Sequence, residues 1–257
     1  MGPIIELDSG AAGAIDGRHI RALTFQDVRL EYVGSVLRRL GIAPAGRSAL
    51  VVGSGRGLLA RGLAGLGLEV VALDPSPEAT AMAVEAAAGE GVEYLTAPAE
   101  DPGLAGRSFD VVFHADTFEI TGALDRVVAH AARLLRPGGV LFYDTVNRTP
   151  VSRLIYLVAF QTLPQTRIMP RGRYAAARLR TPEEVAAVLA AHGLRNEEIC
   201  SFKPANVLDL VRATVARRKG KIDDKAIPSV TRFVLEPEGR PIVTYLGHAR
   251  AHPSADS

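Results

Sequence analysis

The residues Ser48 to Val52 form an apolar run that stops on Gly53-Ser-Gly55-Arg-Gly57, and Leu58-Leu-Ala60 follows at once. A strand that is apolar on both faces needs cover on both faces, which a parallel sheet flanked by helices provides. Three glycines in five positions allow a tight turn whose main chain is open to a ligand. Downstream, Glu69-Val-Val-Ala-Leu73 repeats the apolar pattern and closes on Asp74. Strand, glycine turn, helix, strand and terminal carboxylate together make the first βαβ unit of a doubly wound α/β sheet. The rest of the chain has to extend that sheet.

It does so by regular alternation. Pro77 to Glu90 predicts an Ala-rich helix, with Pro75 and Pro77 suited to its first turn. Glu93–Thr96 and Phe109–Phe113 read as the third and fourth strands, Leu124–Leu135 as a helix, Arg136-Pro-Gly-Gly139 as a turn and Val140–Thr145 as the fifth strand. Upstream, Thr24 to Leu40 carries apolar residues at helical spacing until Gly41 and Pro44 end it. Beyond Thr145 the alternation breaks: Val151–Phe160 is an apolar helix candidate, followed by prolines and a basic run through Arg180. Thr181-Pro-Glu-Glu184 opens another helix through a capping box, and Gly193 ends it. Ala205–Arg218 predicts a further helix, and Glu198–Phe202 and Ile242–His248 predict two late strands.

These elements predict one Rossmann-like α/β domain over residues 24–250, with a mostly parallel seven-stranded sheet and helices on both faces. Residues 1–23 are expected as a flexible arm and 251–257 as a tail, with lid or insert segments near 150–180 and 205–225. The 257 residues, 47% hydrophobic, suffice for one substantial core. A formal net charge of +2 gives no case for nucleic acid. Cys200 is the single cysteine, which excludes an intrachain disulfide, fits a reducing compartment and is expected as a small core residue. Neither a basic-then-apolar leader nor an apolar run of membrane-spanning length is visible, so a cytoplasmic protein is expected.

The glycine spacing narrows the ligand. A dinucleotide site uses G-x-G-x-x-G, whereas Gly53, Gly55 and Gly57 stand at G-x-G-x-G and Gly62 lies too far into the helix to serve as the third glycine. With Asp74 about twenty residues on, placed to bind ribose hydroxyls, this favours an adenosyl cofactor over NAD. The alternative is a glycine turn in an α/β domain that binds no nucleotide.

Four segments in order, Ala49–Gly57, Val71–Ser76, Ser108–Val112 and Leu134–Gly139, resemble the successive motifs of class I S-adenosylmethionine-dependent methyltransferases. More narrowly, Val28-Arg-Leu-Glu-Tyr32, Asn147-Arg148 and Met169-Pro-Arg-Gly172 resemble the ubiquinone-biosynthesis O-methyltransferases, over roughly Gln26 to His248. The resemblance implies S-adenosylmethionine as cofactor. It implies that Arg29 meets the methionine carboxylate, Gly53 the methionine part, Asp74 the ribose and Ala99-Glu100 the adenine, while Phe113-His114 line the site. Asp116 and Glu119 match two acidic ligands of a divalent cation such as Mg²⁺, with Ile120 where the family has a histidine; the alternative is an acidic helix start. Val51 stands where most class I enzymes carry an acid, and Arg173-Tyr174-Ala175 where the family commonly has Thr-His-Asp.

Methyl transfer also requires loss of a proton from the acceptor. The candidates are His114, directly beyond the fourth strand, His248, which matches a late family histidine, and Tyr174 as a hydrogen-bonding group; His192 is expected as a helix-end residue. The expected partner is a small-molecule acceptor under a lid formed by Val151–Phe160. The basic residues Arg167, Arg171, Arg173, Arg178 and Arg180 would suit a peripheral membrane surface or a phosphate-bearing acceptor, but an ordinary packed helix with a solvated basic loop is favoured over membrane contact. The leading expectation is an O-methyltransferase for a hydroxylated, fairly hydrophobic small molecule, phenol- or quinol-like. N- or C-methylation, and a cofactor-binding fold that catalyses a cyclisation or isomerisation or acts as a regulatory partner, are the alternatives.

Overall fold

A computed structural model describes residues 3–11, 13–87 and 91–251. Helix α1, Gly17–Arg39, precedes the sheet and is followed by β1 (Ser48–Val52), α2 (Leu58–Gly65), β2 (Glu69–Asp74), α3 (Pro77–Ala86) and β3 (Glu93–Thr96). Next come β4 (Phe109–His114), α4 (Leu124–Leu134), β5 (Leu135–Val146) and the short α5 (Pro150–Arg153). A π-helical segment, Leu154–Ala159, extends α5, and then α6 (Pro182–Ala191), β6 (Leu194–Pro204), α7 (Val207–Arg218), α8 (Ile227–Val230), β7 (Phe233–Glu236) and β8 (Thr244–Ala251) complete the chain. Residues 88–90, the end expected for the third helix, and 252–257 of the expected tail lie outside the described residues.

One sheet carries all eight strands in the order β3-β2-β1-β4-β5-β8-β6-β7. The first five run parallel, and β8 enters antiparallel between β5 and β6. The strand beyond the expected seven is β7, which pairs antiparallel with β6 from Ser201↔Glu236 to Pro204↔Phe233. It has four residues, and its alternation signal is correspondingly brief. The turn expected at Arg136–Gly139 is absorbed into β5, where the register with β4 shifts between Phe109 and Val111.

Alternate residues of the parallel strands feed two cores. Ala49, Val51, Val111, Phe113 and Phe142 pack under α1 and α2, while Leu50, Val52, Val112, Leu141 and Tyr143 pack under α4 and α6. Helix α6 begins as its sequence dictates, with Thr181 Oγ1 accepting from the Glu184 amide and Glu184 returning the bond. Cys200 is buried in the α1-side core, as its type predicts.

The expected flexible arm is corrected. Helix α1 starts at Gly17, seven residues before the expected Thr24, because Asp16 caps it by accepting from the His19 amide at 3.0 Å. Ile5 bridges to Ile15, which is fully buried with Ile168 and Met169. A methyl group on Gly17 would lie 2.3 Å from the Ile168 carbonyl, so the first turn of α1 approaches this segment as only glycine allows. Residues 3–11 and 13–16 therefore lie as a strap along the carboxyl ends of the strands. No helix among the described residues is long and apolar enough to cross a membrane.

Candidate active site

The parallel strands β1, β2 and β4 deliver Gly53, Asp74 and Ala115 to one edge of the sheet, where an open α/β sheet binds ligands. Gly53, Gly55 and Gly57 all have positive φ, between 53° and 78°. A Cβ on Gly53 would stand 2.4 Å from the Ala115 carbonyl, so the turn can nest against the end of β4 only without a side chain. The Gly55 amide donates to Asp74 Oδ2 at 2.7 Å, and the Ser76 amide donates to Oδ1 at 3.0 Å. The carboxylate read from sequence thus fixes the glycine turn directly.

A crevice of about 330 Å³ opens beside this turn, lined by Gly53, Ser76, Ala99, Glu100, Asp116 and Thr121 among others. A smaller lobe of about 20 Å³ continues along Gly53, Ser54, Gly55, Arg29 and Ala115. Gly53, Gly55, Arg29 and Glu100 all line the crevice. Asp74 underpins it, whereas Gly57 caps α2 and does not line it. The expectation for Phe113 and His114 is corrected. Phe113 is fully buried, stacked 6.2 Å from Phe142, and the chain turns so that Ala115 and Asp116 line the crevice instead.

Behind the crevice lies a buried charge cluster that spacing along the chain does not reveal. Arg21 Nε donates to Asp116 Oδ1 at 3.0 Å, and Arg21 Nη2 reaches Glu119 Oε1 at 3.0 Å. Arg29 Nη2 bridges Asp116 Oδ2 at 2.9 Å and Asp144 Oδ2 at 2.8 Å, while Thr145 donates to Glu119 at 3.0 Å. The two arginines hold the Asp116 carboxyl well below its ordinary range. Burial pushes Asp144 up to about 7, against the pull of Arg29. Glu119 is also raised, again chiefly by burial. One helix is bolted in this way to the ends of β4 and β5.

The cluster answers the metal expectation. Asp116 and Glu119 do come together, but Arg21 and Arg29 take their oxygens, and Ile120 adds no donor. Among the described residues no group of three or more His, Cys, Asp or Glu side chains is placed to hold a metal ion. A divalent cation does not fit these residues, because a guanidinium already stands between the two carboxylates.

An adenosyl cofactor does fit. Arg29 lines the small lobe, and its buried Nε has no hydrogen-bond partner among the described residues, a free donor where a carboxylate is expected. Glu100 lines the large lobe and accepts from the Thr121 hydroxyl. Arg180 donates to the carbonyls of Phe118 and Thr121 at 3.1 and 2.9 Å and so fixes the loop after β4. Part of the basic run is structural rather than solvated.

The base candidates fare differently. His114 is fully desolvated, neither ring nitrogen has a partner among the described residues, and burial drives it down to about 3. It packs against Phe118 in the α4-side core and lines no part of the crevice. His248 lies mid-strand opposite Phe142, with Nδ1 2.9 Å from the Tyr32 hydroxyl, and burial lowers it too. His192 sits at the end of α6, 2.8 Å from Asp125. Tyr174 lines neither lobe of the crevice: it is buried against Tyr156 and the Arg21 guanidinium, and desolvation pushes it up to about 12. It stays a phenol, a donor rather than a base.

Strand order and crevice define a Rossmann-like α/β protein with an adenosyl-type site at the carboxyl edge of its sheet. The methyltransferase domain family model matches residues 50–143. The ubiquinone biosynthesis O-methyltransferase of Agrobacterium fabrum is 34% identical over 179 residues, 66% of this chain and 71% of that protein. The protein of the same name from Xanthomonas axonopodis pv. citri is 35% identical over 204 residues, 76% of this chain and 82% of that one. The chain belongs to the class I S-adenosylmethionine-dependent methyltransferases, in the family of these relatives. Among solved structures, magnesium protoporphyrin IX methyltransferase from Synechocystis PCC 6803 with bound SAH shares the fold at a TM-score of 0.59 and 14% identity, covering 91% of this chain and 86% of that one. The cyclase SpnF shares it at 0.57 and 17%, covering 89% and 83%.

Proposed function

We propose that the protein methylates an oxygen of a hydroxylated, hydrophobic small molecule. The observation that carries this reading is a second cavity of about 330 Å³, walled by Phe25, Ile155, Tyr156, Phe160, Phe202 and Phe233. Its walls come from α1, β6, β7 and α8 together with the π-helical segment and α7, the last two lying in the segments expected as lid and insert. Val151, Val207 and Ile242 line it and are also exposed, which marks an apolar mouth to solvent. Arg21 stands in its wall and pairs with Asp116, which lines the cofactor crevice. The two spaces thus share one ion pair as a partition. An apolar body of an acceptor held here has its polar end directed at that partition, and burial of apolar surface supplies the binding energy.

When bound, S-adenosylmethionine supplies an electrophilic methyl group on a sulfonium. Transfer of that methyl to the acceptor oxygen would release S-adenosylhomocysteine, and the hydroxyl proton would pass to water at the exposed cavity mouth. With Tyr174 protonated and His114 sealed in the core, the contribution of the chain is orientation and exclusion of water rather than strong general-base catalysis. Tyr156, which lines the apolar cavity, and Tyr174 behind it both face the Arg21 guanidinium that stands in the cavity wall.

The test is incubation with methyl-labelled S-adenosylmethionine and 4-heptylcatechol, read by mass spectrometry. A labelled methyl ether is expected, and Ile155→Trp, which fills the cavity, should raise the KM for the catechol about tenfold while leaving S-adenosylhomocysteine affinity unchanged. Label on carbon or nitrogen of competing probes and none on the catechol oxygen overturns the reading.

A further inference from the structure

The two lobes of the cofactor crevice share four lining residues, Asp8, Arg18, Gly53 and Asp116. Arg18, in the first turn of α1, lines both lobes, as does Asp8 of the strap. Its Nη1 donates to Asp74 Oδ1 at 3.0 Å, and its Nη2 pairs with Oδ2 of the same carboxylate. The guanidinium therefore takes both oxygens that a ribose diol would use, side by side as a diol presents its hydroxyls. The same Nη1 also reaches Asp8 Oδ2 at 3.1 Å, so a second carboxylate already touches this cation at the rim.

The strap is tied to the glycine turn from the other side. Asp16 Oδ2 accepts from Arg56 at 2.7 Å and from the Asp8 amide at 2.9 Å. Asp8 itself holds a φ of 55°, an uncommon backbone for a residue other than glycine. Asp74 is fully buried, while the Arg18 side chain keeps 11% exposure, so the cation is the partner with somewhere to go. A cofactor spanning from Glu100 and Ser76 to Gly55 and Arg29 must cross the line that Arg18 now occupies.

We propose that Arg18 is a gate on the cofactor site: it competes with the ribose for Asp74, swings onto Asp8 when the cofactor enters, and returns to Asp74 as the demethylated product leaves. The gate rests on the adenosyl reading of this crevice. It gives a physical reason for an arginine beside the ribose carboxylate. In the empty protein the buried Asp74 charge is never left bare, which would cost more than any single exposed contact returns. During turnover the returning guanidinium lowers the affinity for a product that keeps the whole adenosyl handle.

Isothermal titration with S-adenosylhomocysteine tests this on the full chain. Replacing the competitor by an uncharged side chain, Arg18→Gln, should tighten binding on the order of tenfold, the scale of one charge-assisted hydrogen bond. Asp8→Asn, which removes the alternative seat of the guanidinium, should weaken binding several-fold. The two substitutions thus act in opposite directions on the same constant, and Asp8→Asn reads the gate even where Arg18→Gln unfolds. Weaker binding by Arg18→Gln with the parent protein binding normally would make Arg18 an ordinary ligand contact and overturn the gate alone. Absence of binding by the parent and both folded variants would overturn the adenosyl reading and the gate with it.

Discussion

At the scale of single residues, the polar side chains divide into those that local spacing announces and those that only packing explains. Asp74 is announced: it ends a strand after a glycine turn, and its carboxylate accepts from the Gly55 amide. His114 shows the opposite case. Its place just after β4 suggests a catalytic base, yet the strand alternation that points Phe113 to one core points His114 into the other. Its pKa falls to about 3 in the fold and is about 6.5 unfolded. Between these values the unfolded chain binds the extra proton, so stability is lost as pH falls from 6.5 toward 3. His114→Leu should therefore stabilise the protein, by about 1 kcal/mol or more at pH 8 through removal of unpartnered buried nitrogens. The gain should be larger at pH 5, with S-adenosylhomocysteine affinity unchanged. Urea unfolding at both pH values and titration of the ligand check this, and a loss of affinity would return His114 to the site.

At the scale of elements, the insertion of β8 between β5 and β6 depends on one close approach. Gly247 lies opposite Tyr143, and a Cβ there would stand 2.3 Å from the ring carbon bearing the hydroxyl. Tyr143 is held in turn, stacked 5.3 Å from Phe118 and donating to Asn196 at 2.6 Å. It has no free direction in which to yield. Gly247→Ala should lower stability by about 1–3 kcal/mol, the cost of overpacking a filled core, in denaturant unfolding. A neutral result would mean that the β5–β8 seam is looser than these contacts imply. Helix α1 makes the same point about polar faces. Positions 18, 21 and 29 fall along one side of it, and their guanidinium groups meet Asp74, Asp116 and Asp144. Helical spacing sets these three positions on one side only once the helix begins at Gly17 rather than Thr24, and it does not say which carboxylates they meet.

For the molecule as a whole, stability should carry the imprint of the buried charge cluster. Arg21 and Arg29 face Asp116, Glu119 and Asp144, so full ionisation would leave one net negative charge in the interior. Asp144 relieves it by holding a proton up to about pH 7 in the fold, against about 4 in an unfolded chain. The folded state then binds the extra proton between those values. The contribution of this group is full below pH 4 and is lost as pH rises through 7. Unfolding free energies of Asp144→Asn minus those of the parent should climb from pH 4 to pH 7 and level off above. A flat difference would show that another carboxyl holds the proton.

The sequence by itself determined the βαβ core, the glycine turn, the carboxylate that ends β2 and the capped start of α6, because each is set by contacts within a turn or between neighbouring elements. It also determined the cofactor class, since glycine spacing is a local property of backbone geometry. Tertiary structure alone decided the partners of Asp74, Asp116 and Asp144, which come from residues 56, 95 and 115 positions away. Charge pairing over such separations leaves no periodic trace along the chain. It also decided that a guanidinium, rather than a metal ion, stands between Asp116 and Glu119. Lid, insert and α1 became an apolar cavity only when the sheet brought them to the same edge, since a cavity belongs to no single segment.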